Sequence, residues 1–153
     1  MESLDTLPSF TASDQDGNEF SSQQLIGKPA VIYFYPKDDT PGCTREACGF
    51  RDSYEDFAEA GAVIVGISGD GPESHRAFKQ KHRLPFTLLS DPDGELRRLF
   101  GVAEGAFGLW AGRETFVYNA KGKLIYRFRS QFSPRQHVRR ALKAIKSANA
   151  END

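Results

Sequence analysis

Cysteine is scarce in this sequence: its 153 residues include only two, Cys43 and Cys48. A secreted protein that depends on disulfides for its stability contains more of them, so the chain is not a disulfide scaffold. In a reducing compartment, two such thiols are free, hold a metal or catalyse redox chemistry. The residues around them decide between these roles.

The sequence also lacks a long hydrophobic run and an excess of charge of either sign. Its longest apolar run, AVIVGI, is much shorter than the roughly 18 residues of a membrane-spanning helix. Lys and Arg number 20 and Asp and Glu number 21, so the formal net charge is −1. This balance provides no general attraction to nucleic acid or to an anionic membrane, and we expect neither as a partner.

The first ten residues, MESLDTLPSF, lack the basic and apolar regions of a secretory signal peptide. We therefore expect a soluble, cytoplasmic protein, although a plastid protein whose transit peptide had been removed would look the same. Hydrophobic residues make up 39% and charged residues 27%, which is a globular composition. The length predicts one domain over 1–153, with 1–5 and 149–153 frayed.

Hydrophobic periodicity predicts alternating strands and helices. Buried strands are expected at 30–35, 62–68 and 86–91, and hairpins at 7–25 and 114–128. Helices are expected at 41–60, 71–83, 92–102 and 133–148, the last with Ser133 as N-cap and Pro134 in its first turn.

This order of elements predicts an α/β fold with a mixed central sheet, helices on both faces and an N-terminal β-hairpin extension. In such sheets, reactive groups gather beyond the carboxyl ends of the strands. Strand 30–35 brings the chain to that edge just before Cys43.

The residues before Cys43 predict that its thiol lies at the start of a helix. Thr40 is a good N-cap that can accept a first-turn N–H, and Pro41 suits the first helical position. Gly42 leaves room for another group to approach the backbone. Cys43 then lies in the first turn, where free N–H groups and the helix dipole favour an anion, so we expect it to be largely thiolate at neutral pH.

Cys48 lies on a different side of the same predicted helix. An apolar stripe contains Cys43, whereas Cys48 belongs to a polar stripe, so one thiol faces inward and the other outward or sideways. In an intact helix their Cα atoms are about 9 Å apart, while a disulfide needs about 7 Å or less. A bond between them therefore requires the first turns of the helix to unwind.

Other uses of two thiols fit the sequence less well. The helix-start context argues against two inert buried cysteines. A zinc site needs four ligands at characteristic spacings, but the only histidines, His75, His82 and His137, are scattered. The Cys-x-x-Cys motif of disulfide exchangers is absent. We therefore predict neither a metal nor a cofactor.

The segment YFYPKDDTPGCTREACGFRDSYEDF resembles the active-site segment of the peroxiredoxins, and within them that of peroxiredoxin Q, also called bacterioferritin comigratory protein. The pattern Pro-x-x-x-Thr/Ser-x-x-Cys is matched by Pro36, Thr40 and Cys43, and a second thiol five residues later by Cys48. The resemblance extends to VIVGISGD, LPFTLLSD, GRETFVYNAKGKL and QFSPRQHV, and thus over nearly the whole chain.

This resemblance implies a thioredoxin-like fold and a thiol-dependent peroxidase. In the family, the first cysteine attacks a hydroperoxide and becomes a sulfenic acid, so this role falls to Cys43. Cys48 would then form a disulfide with Cys43 within one chain, and thioredoxin or a similar dithiol would reduce it. The resemblance also implies a monomer that requires no haem, flavin or metal.

Three further residues receive roles from the same resemblance. The hydroxyl of Thr40 and the guanidinium of Arg113 would hold the peroxide oxygens, and Pro36 would shield the pocket from water. Two neighbouring acids, Asp38 and Asp39, should oppose ionisation of the thiol. Nearby cations can offset them: Lys37, Arg45 and Arg113.

Two other functions and one binding feature remain as alternatives. A glutathione-peroxidase-like enzyme would need Gln and Trp partners for its thiol, but the only Trp is Trp110. A non-enzymatic sensor would use the Cys43–Cys48 switch to control a partner. The apolar stretch around Phe107, Leu109 and Trp110 is interpreted as ordinary loop packing, with a collar for lipid hydroperoxides as the alternative.

Overall fold

A computed structural model describes residues 5–102, 113–130 and 133–152 of the chain. In these ranges, seven strands form one sheet in the order β2-β1-β5-β4-β3-β6-β7. The strands are β1 Thr11–Asp14, β2 Glu19–Ser21, β3 Ala30–Phe34, β4 Val63–Ser68, β5 Thr87–Ser90, β6 Glu114–Tyr118 and β7 Leu124–Arg129.

The sheet is mixed, as predicted. Its central strands β3, β4 and β5 are parallel to one another. The N-terminal hairpin joins one side through antiparallel pairing of β1 with β5, and β6 and β7 join the other side antiparallel to β3. All five residues of β3 are buried, which explains why that segment is apolar throughout rather than alternating.

Five helices cover this sheet within the described ranges: α1 Pro41–Asp52, α2 Tyr54–Glu59, α3 Pro72–His82, α4 Glu95–Leu99 and α5 Pro134–Asn152. The single helix predicted from Pro41 to about Ala60 is wrong, because Ser53 interrupts it between α1 and α2. Helix α5 continues through 149–152, where fraying was predicted. In the described part of the chain, no helix combines the length and the apolar character needed to cross a membrane.

Alternate residues of β3 point into two separate cores, one on each face of the sheet. Tyr33 belongs to the core beneath α1, α2, α3 and α5, together with Cys43 and Phe50. Ile32 and Phe34 belong to the opposite core, which is closed by α4 and by the N-terminal hairpin. The predicted thioredoxin-like α/β architecture with helices on both faces is confirmed.

The pairing of β3 with β6 brings two distant parts of the sequence to one sheet edge. Phe34, the last residue of β3, is opposite Glu114, the first residue of β6. The chain leaving β3 enters α1 at Pro41, while the chain entering β6 arrives through Arg113. Arg113 and the start of α1 therefore meet beyond the carboxyl end of β3.

Candidate active site at the start of helix α1

Helix α1 begins as the sequence predicted. Thr40 has extended N-cap dihedrals (φ −88°, ψ 155°), Pro41 is the first helical residue, and the amide of Thr44 donates to the carbonyl of Thr40 over 2.8 Å. The predicted hydroxyl cap is wrong, however. The Thr40 hydroxyl instead donates to the carbonyl of Lys37 at 2.9 Å, because the turn over 37–40 brings that carbonyl within reach.

The Cys43 thiol lies inside the protein and contacts a cation. Cys43 is only 1% exposed, and Nη2 of Arg113 donates to its Sγ over 3.4 Å. Gly42 makes this approach feasible, because a Cβ at that position would lie 3.0 Å from Arg113 Nη2. A helix start and a guanidinium thus lie against the same sulfur, the electropositive surroundings in which reactive cysteines are found.

Arg113 is held by a buried carboxylate that the sequence analysis did not identify. Its Nη1 donates to Oε1 of Glu46 over 2.6 Å, and the side chain of Glu46 is fully buried. Burial raises the pKa of Glu46 to about 7, although Arg113 acts to lower it. Burial also acts to lower the pKa of Arg113, but Glu46 and Cys43 outweigh this effect and raise it. The only signal for Glu46 was its spacing of three residues from Cys43, on the inward side of α1.

A neutral histidine lies behind this carboxylate. His137 is buried, and its Nε2 is 2.8 Å from the carbonyl of Ser130, so Nε2 carries the hydrogen. Its Nδ1 accepts from the hydroxyl of Thr115 over 2.7 Å and lies 3.7 Å from Oε2 of Glu46. Burial lowers the pKa of His137 to about 4, consistent with the neutral ring.

Both cysteines are free thiols in this structure. Cys43 faces the core and Cys48 is half-buried, as the two predicted stripes require. Both belong to the continuous helix α1, so no disulfide joins them while that helix is intact. Phe107, Leu109 and Trp110, considered as a collar or as loop packing, lie outside the described residues.

The loop between β3 and α1 contains the remaining predicted residues. Pro36 is half-buried in this loop. The two acids expected to oppose the thiolate both turn toward α3. Asp38 is buried and bonded to His75, whereas Asp39 is exposed and pairs with Lys81. Both carboxylates are thus paired with side chains of α3.

One group of side chains has the composition of a metal site. Ligand atoms of Asp38, Asp70 and His75 lie within 4.8 Å of one another. Oδ2 of Asp38 and Nδ1 of His75 are hydrogen-bonded to each other. Oδ2 of Asp70 accepts hydrogen bonds from the Ser68 hydroxyl and from the Asp38 amide. These atoms therefore already have hydrogen-bond partners within the protein.

Comparison with known proteins relates the chain to one family. The model of the AhpC/TSA family matches residues 4–127. Chloroplastic peroxiredoxin Q of Populus jackii is 53% identical over 140 residues, which cover 92% of this chain and 66% of that protein. The corresponding protein of Sedum lineare is 51% identical over 142 residues, covering 93% of this chain and 76% of the relative. The chain thus spans slightly less than two thirds of the length of the Populus protein.

Solved structures show the same relationship. Peroxidoxin BcpB from Mycobacterium tuberculosis superposes with a TM-score of 0.87 and 37% identity, covering 96% of this chain and 97% of that one. The bacterioferritin comigratory protein of Xanthomonas campestris, studied for its alkyl peroxide reduction activity, gives a TM-score of 0.83 and 33% identity, covering 92% of each chain.

Proposed function

This chain belongs to the AhpC/TSA family, and within it to peroxiredoxin Q, and on this basis we propose that it is a thiol-dependent peroxidase that reduces hydrogen peroxide and organic hydroperoxides. The observation that carries the proposal is the contact of 3.4 Å between Arg113 Nη2 and the buried Sγ of Cys43 at the start of α1. The family model that matches is that of AhpC/TSA, so we set the glutathione-peroxidase-like alternative aside.

In the first step, Cys43 is the nucleophile. Its thiolate attacks the terminal oxygen of ROOH, the O–O bond breaks, and the sulfur becomes a sulfenic acid. The departing RO⁻ takes up one proton to give ROH, which is water when the substrate is hydrogen peroxide. Arg113 stabilises the charge that develops on the leaving oxygen, the Thr40 hydroxyl orients the peroxide, and Pro36 limits the access of water.

In the second step, Cys48 resolves the sulfenic acid. Its sulfur attacks Sγ of Cys43, a disulfide forms, and the hydroxyl leaves as water after gaining the thiol proton. Because both cysteines lie in α1, this step requires local unwinding of the helix. A dithiol reductant such as thioredoxin then exchanges with the disulfide and restores both thiols.

The proposed substrates and cellular compartment are inferred from the relatives of this chain. The alkyl peroxide reduction studied in the Xanthomonas campestris protein supports organic hydroperoxides as substrates. The sequence analysis favoured the cytoplasm, with a plastid as the alternative. The chloroplastic names of the relatives support the plastid alternative, and we propose that compartment.

Mass spectrometry after one equivalent of peroxide tests the chemistry. The wild-type chain should lose two thiols and about two mass units, whereas Cys48→Ser should gain one oxygen, about 16 mass units. Cys43→Ser is the matched control and should gain none. If neither thiol of the wild type reacts, the proposal is wrong.

Turnover separates an enzyme from a sensor that uses the same two thiols. With thioredoxin, its reductase and NADPH, an enzyme consumes many equivalents of peroxide per chain. A sensor would become oxidised and then stop. Peroxide consumption limited to about one equivalent per chain, with the chain left in its disulfide form, would favour the sensor.

A further inference from the structure

We infer that a buried hydrogen-bonded pair, Asp38 with His75, positions the peroxide-binding loop, and that both are positioning residues for the chemistry of Cys43. The loop is the segment 36–40, between β3 and α1. This inference rests on the proposed function, because the loop position matters for the reaction only if Thr40 orients the peroxide.

Three donors converge on the carboxylate of Asp38. The Tyr35 hydroxyl donates to Oδ1 over 2.5 Å, and the Ser74 hydroxyl donates to Oδ2 over 2.9 Å. Nδ1 of His75 lies 2.7 Å from the same Oδ2. Asp38 is 7% exposed and His75 is fully buried, so this carboxylate has protein partners in place of water.

The other side of the His75 ring is hydrogen-bonded as well. Its Nε2 is 2.9 Å from the carbonyl of Leu89, which can only accept, so Nε2 carries a hydrogen. On the opposite side of the ring, Nδ1 is hydrogen-bonded to the carboxylate of Asp38. The pair thereby connects the loop to α3 and, through Leu89, to β5.

The rest of the loop is fixed around this pair. The amide of Asp38 donates to Oδ2 of Asp70 over 2.8 Å, and the Thr40 hydroxyl donates to the carbonyl of Lys37 over 2.9 Å. Between them, Asp39 has a φ of 62°, a left-handed conformation that is unfavourable for a residue other than glycine. Such a conformation persists only where the surroundings impose it, and Asp38 is the anchor immediately before it.

An exposed pair between the same loop and the same helix provides an internal comparison. Lys81 donates to Asp39 over 2.8 Å, but its side chain is 61% exposed. A surface pair of this kind contributes little to holding two elements in place. The buried pair therefore fixes the loop, two residues before Thr40 and five before Cys43.

Two substitutions of His75 separate its two hydrogen bonds. His75→Asn keeps a donor near the position of Nδ1, toward Asp38, but loses the link to Leu89. His75→Gln keeps a donor near the position of Nε2 and loses the link to Asp38. Both replace the ring by a neutral amide, so the main difference between them is which of the two hydrogen bonds remains.

The measurement uses the Cys48→Ser background and compares two reactions of Cys43. One is the rate of oxygen addition from hydrogen peroxide, which depends on Thr40. The other is the rate of alkylation by iodoacetamide, which reports on the thiolate and its accessibility. A misplaced binding group costs up to about 100-fold in rate. We expect the peroxide-to-alkylation ratio to fall at least about tenfold in His75→Gln and clearly less in His75→Asn.

Controls keep the inference open to refutation. Lys81→Met, which breaks only the exposed pair, should leave the ratio within about twofold of the parent. Ser74→Ala removes one donor to Asp38 at an exposed position and should lower the ratio about threefold. This variant keeps the inference testable if His75→Gln does not fold. An unchanged ratio in folded His75→Gln, or equal losses in His75→Gln and His75→Asn, overturns the inference alone. If the parent itself does not react with peroxide, the proposed function fails, and the inference fails with it.

Discussion

At the scale of single residues, one guanidinium serves two groups that become anions inside the protein. Arg113 donates through Nη2 to the sulfur of Cys43 and through Nη1 to the carboxylate of Glu46. When Glu46 is ionised, it orients Arg113 but offsets part of the positive charge that acts on Cys43. With Glu46 protonated, more of its field acts on the thiolate and on the departing oxygen of the peroxide.

Gly42 should be required for activity rather than for stability. In Gly42→Ala, the new Cβ would lie 3.0 Å from Arg113 Nη2 and push the guanidinium away from Cys43. We expect the rate of oxygen addition to fall about tenfold, while alanine in a helix stabilises by up to about 1 kcal/mol relative to glycine. Stopped-flow kinetics and thermal unfolding measure both. Gly71→Ala, where a Cβ meets nothing within 4 Å, should keep the parent rate.

Glu46 should make the stability of the protein decrease as pH rises. Its pKa in the folded protein, about 7, exceeds the ordinary value of 4.5, so the folded state binds more protons than the unfolded state between these pH values. Glu46→Gln cannot lose that proton. The free energy of unfolding of the variant, relative to wild type, should therefore increase by about 3 kcal/mol between pH 4.5 and pH 8.

Urea unfolding at a series of pH values measures this difference. Effects of the substitution that do not involve the proton of Glu46 shift the difference by the same amount at every pH, so the pH dependence is the informative quantity. Exposed Glu55 provides the control, because Glu55→Gln should give a difference that is nearly flat over the same range. A flat difference for Glu46→Gln as well would contradict the prediction.

Sequence reasoning found the part of the site that local chemistry determines. Cys43 at the start of a helix and the space above Gly42 follow from the order Thr-Pro-Gly-Cys, and the resemblance to the peroxiredoxins supplied Arg113. Glu46 and His137 were missed because their importance depends on burial and on the packing of α5 against α1. An isolated glutamate or histidine in a helix carries no local sign of either.

At the scale of secondary structure, the same distinction holds. The strands and most helix starts follow from periodicity, proline and turn residues. The interruption at Ser53 does not, because the apolar stripe that contains Cys43 continues on both sides of it, at Phe50 and Phe57. The hydroxyl of Thr40 likewise had two partners within reach, and the turn over 37–40, rather than the helix, determined the choice.

The proposed disulfide between Cys43 and Cys48 requires helix α1 to open. Ideal helix geometry separates the Cα atoms of Cys43 and Cys48 by about 9 Å, beyond the roughly 7 Å that a disulfide tolerates. The buried pair of Asp38 and His75 lies before the helix, so it can hold the loop while the helix unwinds. Opening is thereby confined to the segment that contains the two thiols.

Hydrogen exchange should detect this opening. In the oxidised protein, amides within 41–48 should lose protection, whereas amides in the middle of α5 should keep it. Peptide-level exchange read by mass spectrometry compares the reduced and oxidised forms. Cys48→Ser treated with peroxide is the control, because it gains a sulfenic acid without needing to unwind. Full protection of α1 in the disulfide form would show that the bond forms by some other movement.

At the scale of the whole molecule, only one of the two cores contains side chains of α1. Cys43 and Ala47 belong to the core beneath α1 and α5, while the opposite face of the sheet has a separate core that includes Leu89 and Phe116. Unwinding of α1 removes side chains from the first core only. The sheet and the second core can therefore stay folded while α1 opens, as the proposed reaction requires.

The surface of the described residues predicts a monomer. Only two large hydrophobic side chains there are well exposed, Ile26 at 69% and Leu99 at 43%, and stable homodimers bury much larger apolar surfaces. Sedimentation velocity of the reduced protein at micromolar concentration should give one species of 17.0 kDa. The oxidised protein provides the comparison. Unwinding of α1 in this form exposes core side chains, so self-association is more favoured in the oxidised than in the reduced protein. A reduced species of twice the chain mass would contradict the prediction and would place an interface on the described surface or in the segments outside it.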